Sequence, residues 1–233
     1  MKSTMFLALW LLCCACPVPA PVMAADDHCD RAKRYEVLSA QVQQALQGNA
    51  VLLEVNTHTG SAYHMGYVYT LVPYPPEFVM AVFTNYAEQH GHITDVLAAT
   101  VEVQHGNYAR VRFVYDLPWP LPHSEYVVNG TVRQEGETYL LAWDLHPSSP
   151  RGLSAPQYVE GYFRTQPVGP HTLILYCNYI IPGSGLLPGM VNRAGLQAMQ
   201  TTIKDTVRWV DAIAASSATS SRHLARLREM LAP

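Results

Sequence analysis

The side chains best suited to proton transfer are grouped between residues 112 and 146. They are Asp116, His123, Glu125, Asp144 and His146, together with Arg112 and Arg133. A positioned proton donor and acceptor beside a guanidinium that polarises a carbonyl oxygen would suit a cyclase or a dehydratase. Such chemistry requires that these groups face one cavity. However, Asp116, His123 and Glu125 surround a proline-rich connection between strands, where they could equally be solvated turn residues. We therefore predict no catalytic residue among them.

Ten histidines raise the question of a metal site. His90 and His92 are two positions apart, and His58 and His64 flank a predicted hairpin. None of them has the helical i, i+4 spacing or the close carboxylate partner that zinc sites favour. The sequence also lacks a Gly-x-Ser-x-Gly elbow and a glycine-rich phosphate loop followed by lysine. We predict no metal and no cofactor.

Composition limits the partners of this chain of 233 residues. Only 14% of the residues are charged, and the net charge is −3. A nucleic-acid surface needs clustered lysine and arginine, so we expect no nucleic-acid partner. The length is sufficient for one domain of about 200 residues with a substantial core.

The N-terminus is typical of a secretory signal. Lys2 precedes an apolar run over residues 5–15, and small residues lead to a cleavage site at Ala24 or Ala25. The run is too short to span a bilayer comfortably, and three prolines interrupt the sequence between residues 17 and 21. We predict a signal peptide over residues 1–25 and a periplasmic or secreted protein.

Removal of that segment leaves Cys29 and Cys177 as the remaining cysteines. An oxidising compartment favours their pairing, which would tie the N-terminal region to a late strand. Two buried, unpaired thiols are the alternative, since spacing alone does not show how close the two Cα atoms lie.

Hydrophobic periodicity predicts helices over residues 30–47 and 76–88. Alternating apolar residues and turn signals predict strands at 51–58, 62–72, 94–104, 107–116, 124–135, 137–146, 157–167 and 171–181. Short turns between them favour an antiparallel sheet, and therefore an α+β class.

A single long helix follows a turn-rich run near the C-terminus. From Leu187 to about residue 216, apolar side chains recur at three- and four-residue steps, and Pro188 suits the first turn. Such a stripe needs a long apolar partner, which the concave face of a curved sheet could supply. We predict one domain over residues 26–215, then a flexible linker at 216–221 and a short basic helix at 222–231, most simply a frayed tail.

Two segments resemble a known family. Residues 116–127, DLPWPLPHSEYV, look like the "PWP…RDYV" segment of START (StAR-related lipid transfer) domains, with Ser124-Glu125 where the family usually has Arg-Asp. Residues 181–192, IPGSGLLPGMVN, are similar to the sequence that leads into the last START helix. With the order of elements, the resemblance covers roughly residues 35–215.

The resemblance implies a helix-grip fold, in which a curved antiparallel sheet clasps the long C-terminal helix around a lipid or another apolar ligand. The wider superfamily (SRPBCC) also includes polyketide cyclases, so a cyclase or dehydratase that uses the same cavity is the alternative function. We predict ligand contacts at Arg112, Tyr126, Trp143, Tyr162, Tyr176, Asn178, Leu187, Met190 and Met199.

We therefore expect a monomer that binds an apolar small molecule and transfers it, with transient membrane contact as a further possibility. We predict that the loop at residues 182–188, the loop at residues 147–156, or both, act with the terminal helix as the gate of the cavity.

Overall fold

Eight strands form one antiparallel sheet in the part of the chain that the computed structural model describes, which is residues 29–31, 33–48, 50–57, 61–117, 123–152, 155–183 and 187–232. The strands are β1 Leu52–Thr57, β2 His64–Val72, β3 Val96–His105, β4 Tyr108–Tyr115, β5 Ser124–Glu135, β6 Thr138–Leu145, β7 Tyr158–Val168 and β8 His171–Ile181. These bounds confirm the predicted strands to within a few residues.

The sheet order is β1-β2-β8-β7-β6-β5-β4-β3, and every neighbouring pair is antiparallel. The last six strands follow one another as a meander, and β2 joins its outer edge by pairing with β8. The β3–β4 and β5–β6 hairpin turns depend on glycine, because Gly106 and Gly136 have φ values of 51° and 64°, which side chains with a Cβ adopt at a cost. The predicted antiparallel sheet is confirmed.

Within the described ranges, four α-helices accompany the sheet: α1 Ala40–Leu46, α2 Pro76–Phe83, α3 Pro188–Ala214 and α4 Ser217–Leu231. Helix α3 has 27 residues and is therefore about 40 Å long. Among the described residues, none of the helices has the length and apolar character that crossing a bilayer requires.

Strand alternation gives the sheet two buried faces. The inner face packs against α2, α3 and α4 in the larger core, to which Phe163 and Tyr176 belong. The outer face carries a smaller core in which Tyr162 and Cys177 lie beneath the N-terminal segment. Because successive side chains on a strand point to opposite faces, this register decides which residues can reach α3.

The N-terminal region corrects the single helix predicted over residues 30–47. A short 3₁₀ helix, Tyr35–Val37, is separated from α1 by an extended Ser39, whose side chain accepts a hydrogen bond from the Val42 N–H. A serine side chain can bond to backbone N–H groups in this way and so begin a new helix. The apolar pattern continues through this position without a break, and therefore does not reveal the boundary.

The helix predicted over residues 76–88 is also divided. Helix α2 ends at Phe83, and the 3₁₀ helix Tyr86–Gly91 follows. The Gln89 side chain donates a 2.8 Å hydrogen bond to the Phe83 carbonyl oxygen, which satisfies an acceptor at the end of α2.

All but the first residue of the predicted linker at 216–221 belong to helix α4. Ser216 caps α4 by accepting a hydrogen bond from the Thr219 N–H, and Leu227 and Met230 are buried in the larger core. Arg228 forms a two-pronged ion pair with Glu77 on α2. The serine-rich composition suggested flexibility, but its first serine serves as a cap, and the helix packs on α2 instead of fraying.

Several predictions concern residues outside the described ones. They include the signal peptide, the turn at 59–60, the proline-rich residues 118–122, and parts of both predicted gate loops, at 153–154 and 184–186.

Candidate ligand-binding cavity

A cavity lies between the inner face of the sheet and the first half of α3. Its outer compartment has a volume of about 1020 Å³ and its inner compartment about 600 Å³, both including space open to solvent. The residues that line both compartments, and so join them, are Tyr115, Tyr126, Tyr176, Asn178 and Thr202.

Small residues on α3 leave space for the outer compartment. Ala194, Ala198 and Thr202 recur at steps of four and line it, together with Gly195. Side chains four residues apart lie on one helix face. Because these side chains are small, they leave space between this face of α3 and the sheet. The helix makes its tight contacts later, where Ile203, Trp209 and Val210 are buried.

A glycine brings α3 close to the sheet beside the cavity. A Cβ on Gly66 of β2 would lie 2.6 Å from the Met199 Sδ and 2.9 Å from the Leu196 Cδ2. Both of those side chains line the outer compartment. The missing side chain at Gly66 therefore lets the helix pack here while the cavity stays open.

The inner compartment continues beneath α2 and the 3₁₀ helix Tyr86–Gly91. Its lining residues are Phe83, Tyr86, Gln89, Ile93, Val96, Val111, Phe113, Val128, Gly130, Leu141 and Trp143, in addition to the five that it shares. This end of the cavity is thus mainly apolar and aromatic, with a few hydroxyl and amide groups, as small-molecule sites commonly are.

The tyrosines of the cavity are neutral phenols at physiological pH. Burial raises the pKa of Tyr115 to about 12, with a hydrogen bond to Tyr126 acting in the opposite direction. Burial also raises the pKa of Tyr126 and of Tyr176. The Tyr115 and Tyr126 rings stack with centroids 5.3 Å apart.

No described residue in the lining of either compartment is an aspartate, glutamate, lysine or arginine. His64 is the one imidazole in that described lining, and its backbone N–H donates to the Asn192 Oδ1 at 2.9 Å. The cavity therefore offers hydrogen bonds without a fixed charge.

Five of the predicted contact residues meet in this cavity. Tyr126, Tyr176 and Asn178 line both compartments, Trp143 lines the inner one, and Met199 lines the outer one. Trp143 is positioned by Gly161, its partner across β6 and β7, because a Cβ on that glycine would lie 2.5 Å from the indole.

The other four predicted contacts lie outside the lining. Arg112 reaches Glu102 and Glu125 in ion pairs of 2.7 Å, and Tyr162 points to the outer face and donates to the Asp30 carbonyl oxygen. Leu187 and Met190 are 69% and 40% exposed. Arg112 and Tyr162 miss the cavity because the strand register directs their side chains away from it. Leu187 and Met190 miss it because they lie at the exposed start of α3, before the part of the helix that is buried.

The acid–base candidates also lie elsewhere. Asp116 and His123 are mostly exposed and 3.0 Å apart, Asp144 accepts from Asn129 at 2.7 Å, and the His146 Nδ1 lies 2.6 Å from the Ser148 hydroxyl. Like Glu125, none of them is among the described residues that line the cavity. The histidines are equally dispersed, since no three metal-ligating side chains converge among the described residues.

Sequence reasoning missed Tyr86, Tyr115 and the small residues of α3. Tyr115 shares an alternating face of β4 with Val111 and Phe113, so its direction could have been read from the strand pattern. The four-residue spacing of Ala194, Ala198 and Thr202 is a comparable signal. Tyr86 carries no such signal, because its place depends on the break after α2.

The comparisons with known proteins show the fold. No protein-family model matches the sequence, and no curated protein matches it either. Among solved structures, a STAR-related lipid transfer protein from Xanthomonas axonopodis superposes with a TM-score of 0.64 at 14% identity, covering 69% of this chain and 93% of that one. Human STARD10 gives 0.64 at 14% identity, covering 84% and 90%.

A third structure is described as a cyclase. The di-domain ARO/CYC protein BexL, from the BE-7585A biosynthetic pathway, superposes with a TM-score of 0.50 at 9% identity, covering 68% of this chain and 52% of that one. The chain therefore has the START-like helix-grip fold that its sequence predicted, and this fold is shared by lipid transfer proteins and cyclases alike.

Proposed function

We propose that this protein binds one apolar small molecule of the lipid class between its sheet and α3, and carries it through water. The observation that supports this most directly is the two-compartment cavity, whose lining is aromatic and aliphatic with a few uncharged polar groups. Burial of an alkyl chain gains about 0.8 kcal/mol per methylene, so ten methylenes offset about 8 kcal/mol of the cost of association.

Extraction tests this proposal. The purified protein is extracted with organic solvent and the extract is analysed by mass spectrometry, and the emptied protein is then titrated with a fluorescent apolar probe. We expect a lipid in near-stoichiometric amount, or saturable uptake of the probe. An empty protein that takes up no probe would contradict lipid binding.

A cyclase-type enzyme is the second candidate. Three tyrosines, the buried Tyr126 and Tyr176 and the half-buried Tyr115, line the passage between the compartments, and their hydroxyls could donate protons to a carbonyl oxygen. Incubation with a poly-β-carbonyl thioester, followed by mass spectrometry, separates the two functions. Formation of a cyclised product that is lost in Tyr126→Phe would favour the enzyme.

Export is part of the proposal. The N-terminal sequence has the form of a signal peptide, and the disulfide between Cys29 and Cys177 suits an oxidising compartment such as the periplasm. Intact-mass measurement of the exported protein checks it, because a mass that still includes residues 1–24 would contradict cleavage.

We further propose that the protein acts as a monomer that touches a membrane near the start of α3. Leu187 and Met190 are exposed apolar residues in the first turns of the helix whose next turns, from Val191 onward, line the outer compartment. The proposed gate is the loop at 182–188, the loop at 147–156, or both, acting with α3. An engineered disulfide between them should slow probe exchange, and an unchanged exchange rate would refute the gate.

A further inference from the structure

Tyr86 lies at the inner end of the cavity, and its hydroxyl has no hydrogen-bond partner among the described residues. The residue is 4% exposed. A buried hydroxyl without a partner is costly, and native proteins rarely keep one without a reason.

The surroundings make room for this hydroxyl. Gly130 on β5 faces it, and a Cβ on that glycine would lie 3.2 Å from the Tyr86 Oη. Both residues line the inner compartment, beside Phe83 and Val128. The oxygen is therefore buried in the wall of the inner compartment, beside the space that a Cβ on Gly130 would occupy.

A positive charge lies near Tyr86. Arg226 on α4 donates to the Asn85 Oδ1 at 3.1 Å and to the Ala81 carbonyl oxygen at 3.4 Å, and so it is held against the end of α2. Burial raises the pKa of Tyr86, and the nearby Arg226 acts in the opposite direction. The guanidinium is absent from the described lining, so a ligand would meet the phenol and not the charge.

Asn178 provides a second uncharged group in the middle of the cavity. Its Oδ1 is buried and has no hydrogen-bond partner among the described residues. Asn178 lines both compartments, whose described lining contains no lysine or arginine. A ligand carboxylate or phosphate buried there would lose its hydration without gaining a counter-ion.

We propose that the ligand is a neutral, elongated molecule that bears a hydroxyl, carbonyl or ester oxygen at its leading end, and that this oxygen accepts a hydrogen bond from Tyr86. This inference rests on the proposed function and names the ligand class. Fatty alcohols, sterol-like alcohols and neutral esters fit it, and free fatty acids and phospholipids do not.

The test compares cis-parinaryl alcohol with cis-parinaric acid, two fluorescent probes with the same chain, on emptied protein at pH 8. We expect the alcohol to bind at least tenfold more tightly than the ionised acid. Tyr86→Phe should weaken the alcohol about fivefold, the usual worth of one hydrogen bond. Tyr162→Phe, which removes a buried hydroxyl from the opposite face, should leave the dissociation constant unchanged.

Each outcome decides a separate point. If neither probe binds the wild-type protein, the proposed function and this inference both fail. If both bind equally, or the acid binds more tightly, neutrality is wrong while lipid binding stands. If the alcohol binds Tyr86→Phe as well as the wild type, the anchor is wrong. Should that variant not fold, Gly130→Ala displaces the same hydroxyl and should weaken the alcohol in its place.

Discussion

Loss of the bond between Cys29 and Cys177 should cost stability and spare ligand binding. The structure joins these two residues, which are 148 positions apart in sequence, in a disulfide with Cα atoms 6.1 Å apart. In the chain-entropy treatment, closing a loop of that length removes unfolded-state entropy worth about 5 kcal/mol at 25 °C. Both cysteines belong to the outer-face core, whereas Tyr176 and Asn178, the neighbours of Cys177, line the cavity.

Urea unfolding of the oxidised and the reduced protein measures this effect. With an m-value of about 2.5 kcal/mol per molar urea, reduction should lower the unfolding midpoint by about 2 M. The variant with both cysteines changed to alanine is the matched control, because its midpoint should not respond to reductant. The dissociation constant for the alcohol probe should be the same in all folded forms.

Three results would refute this reasoning. A midpoint shift below about 0.5 M would mean that the cross-link does not constrain the unfolded chain as the loop length implies. Loss of probe binding in reduced protein that is still folded would mean that the outer face controls the cavity. Two free thiols in the denatured, unreduced protein would show that the bond does not form.

Three further predictions concern other parts of the molecule. Gly161→Ala should lower the free energy of unfolding by about 1–3 kcal/mol, measured with urea, and should weaken probe binding, because the new Cβ would displace Trp143. A variant with unchanged stability and affinity would contradict the close contact between Gly161 and Trp143. His223 is buried, and burial lowers its pKa from the ordinary 6.5. As the pH drops from about 7, the unfolded chain therefore takes up a proton at His223 before the folded protein does, and the free energy of unfolding should fall. In a His223→Gln variant the free energy of unfolding should depend less on pH, and an equal dependence would contradict this assignment. Arg112→Ala should change the free energy of unfolding by less than about 1 kcal/mol and leave probe affinity unchanged, because the ion pairs of Arg112 are exposed. A clear loss of affinity would show that Arg112 takes part in ligand binding.

The strands were predictable because alternation and turn residues are local signals. Residues 107–116 alternate so regularly that the observed β4 differs by one residue at each end. The long helix was equally clear, since its apolar stripe and Pro188 are both written in the local sequence. Where one short segment dictates its own conformation, sequence reasoning was sufficient.

The errors arose where the conformation depends on distant contacts. Helix α4 looked like a linker with a tail because its burial comes from α2, about 140 residues earlier, through contacts such as that of Arg226 with the Ala81 carbonyl oxygen. Tyr162 looked like a cavity residue because its aromatic type fits a cavity, yet the pairing of β7 with β8 sends it to the outer face. Residue type alone cannot reveal on which side of a sheet a side chain lies.

The depth of Tyr86 sets the direction in which a cargo travels. The outer compartment lies beside the start of α3, whereas Tyr86, the first residue of the 3₁₀ helix that follows α2, lines the inner compartment. An amphiphile anchored there must enter head-first and leave tail-first. In a bilayer the head already faces the surface, so a protein resting on that surface could withdraw such a molecule without turning it, and could return it to a second bilayer in the correct orientation.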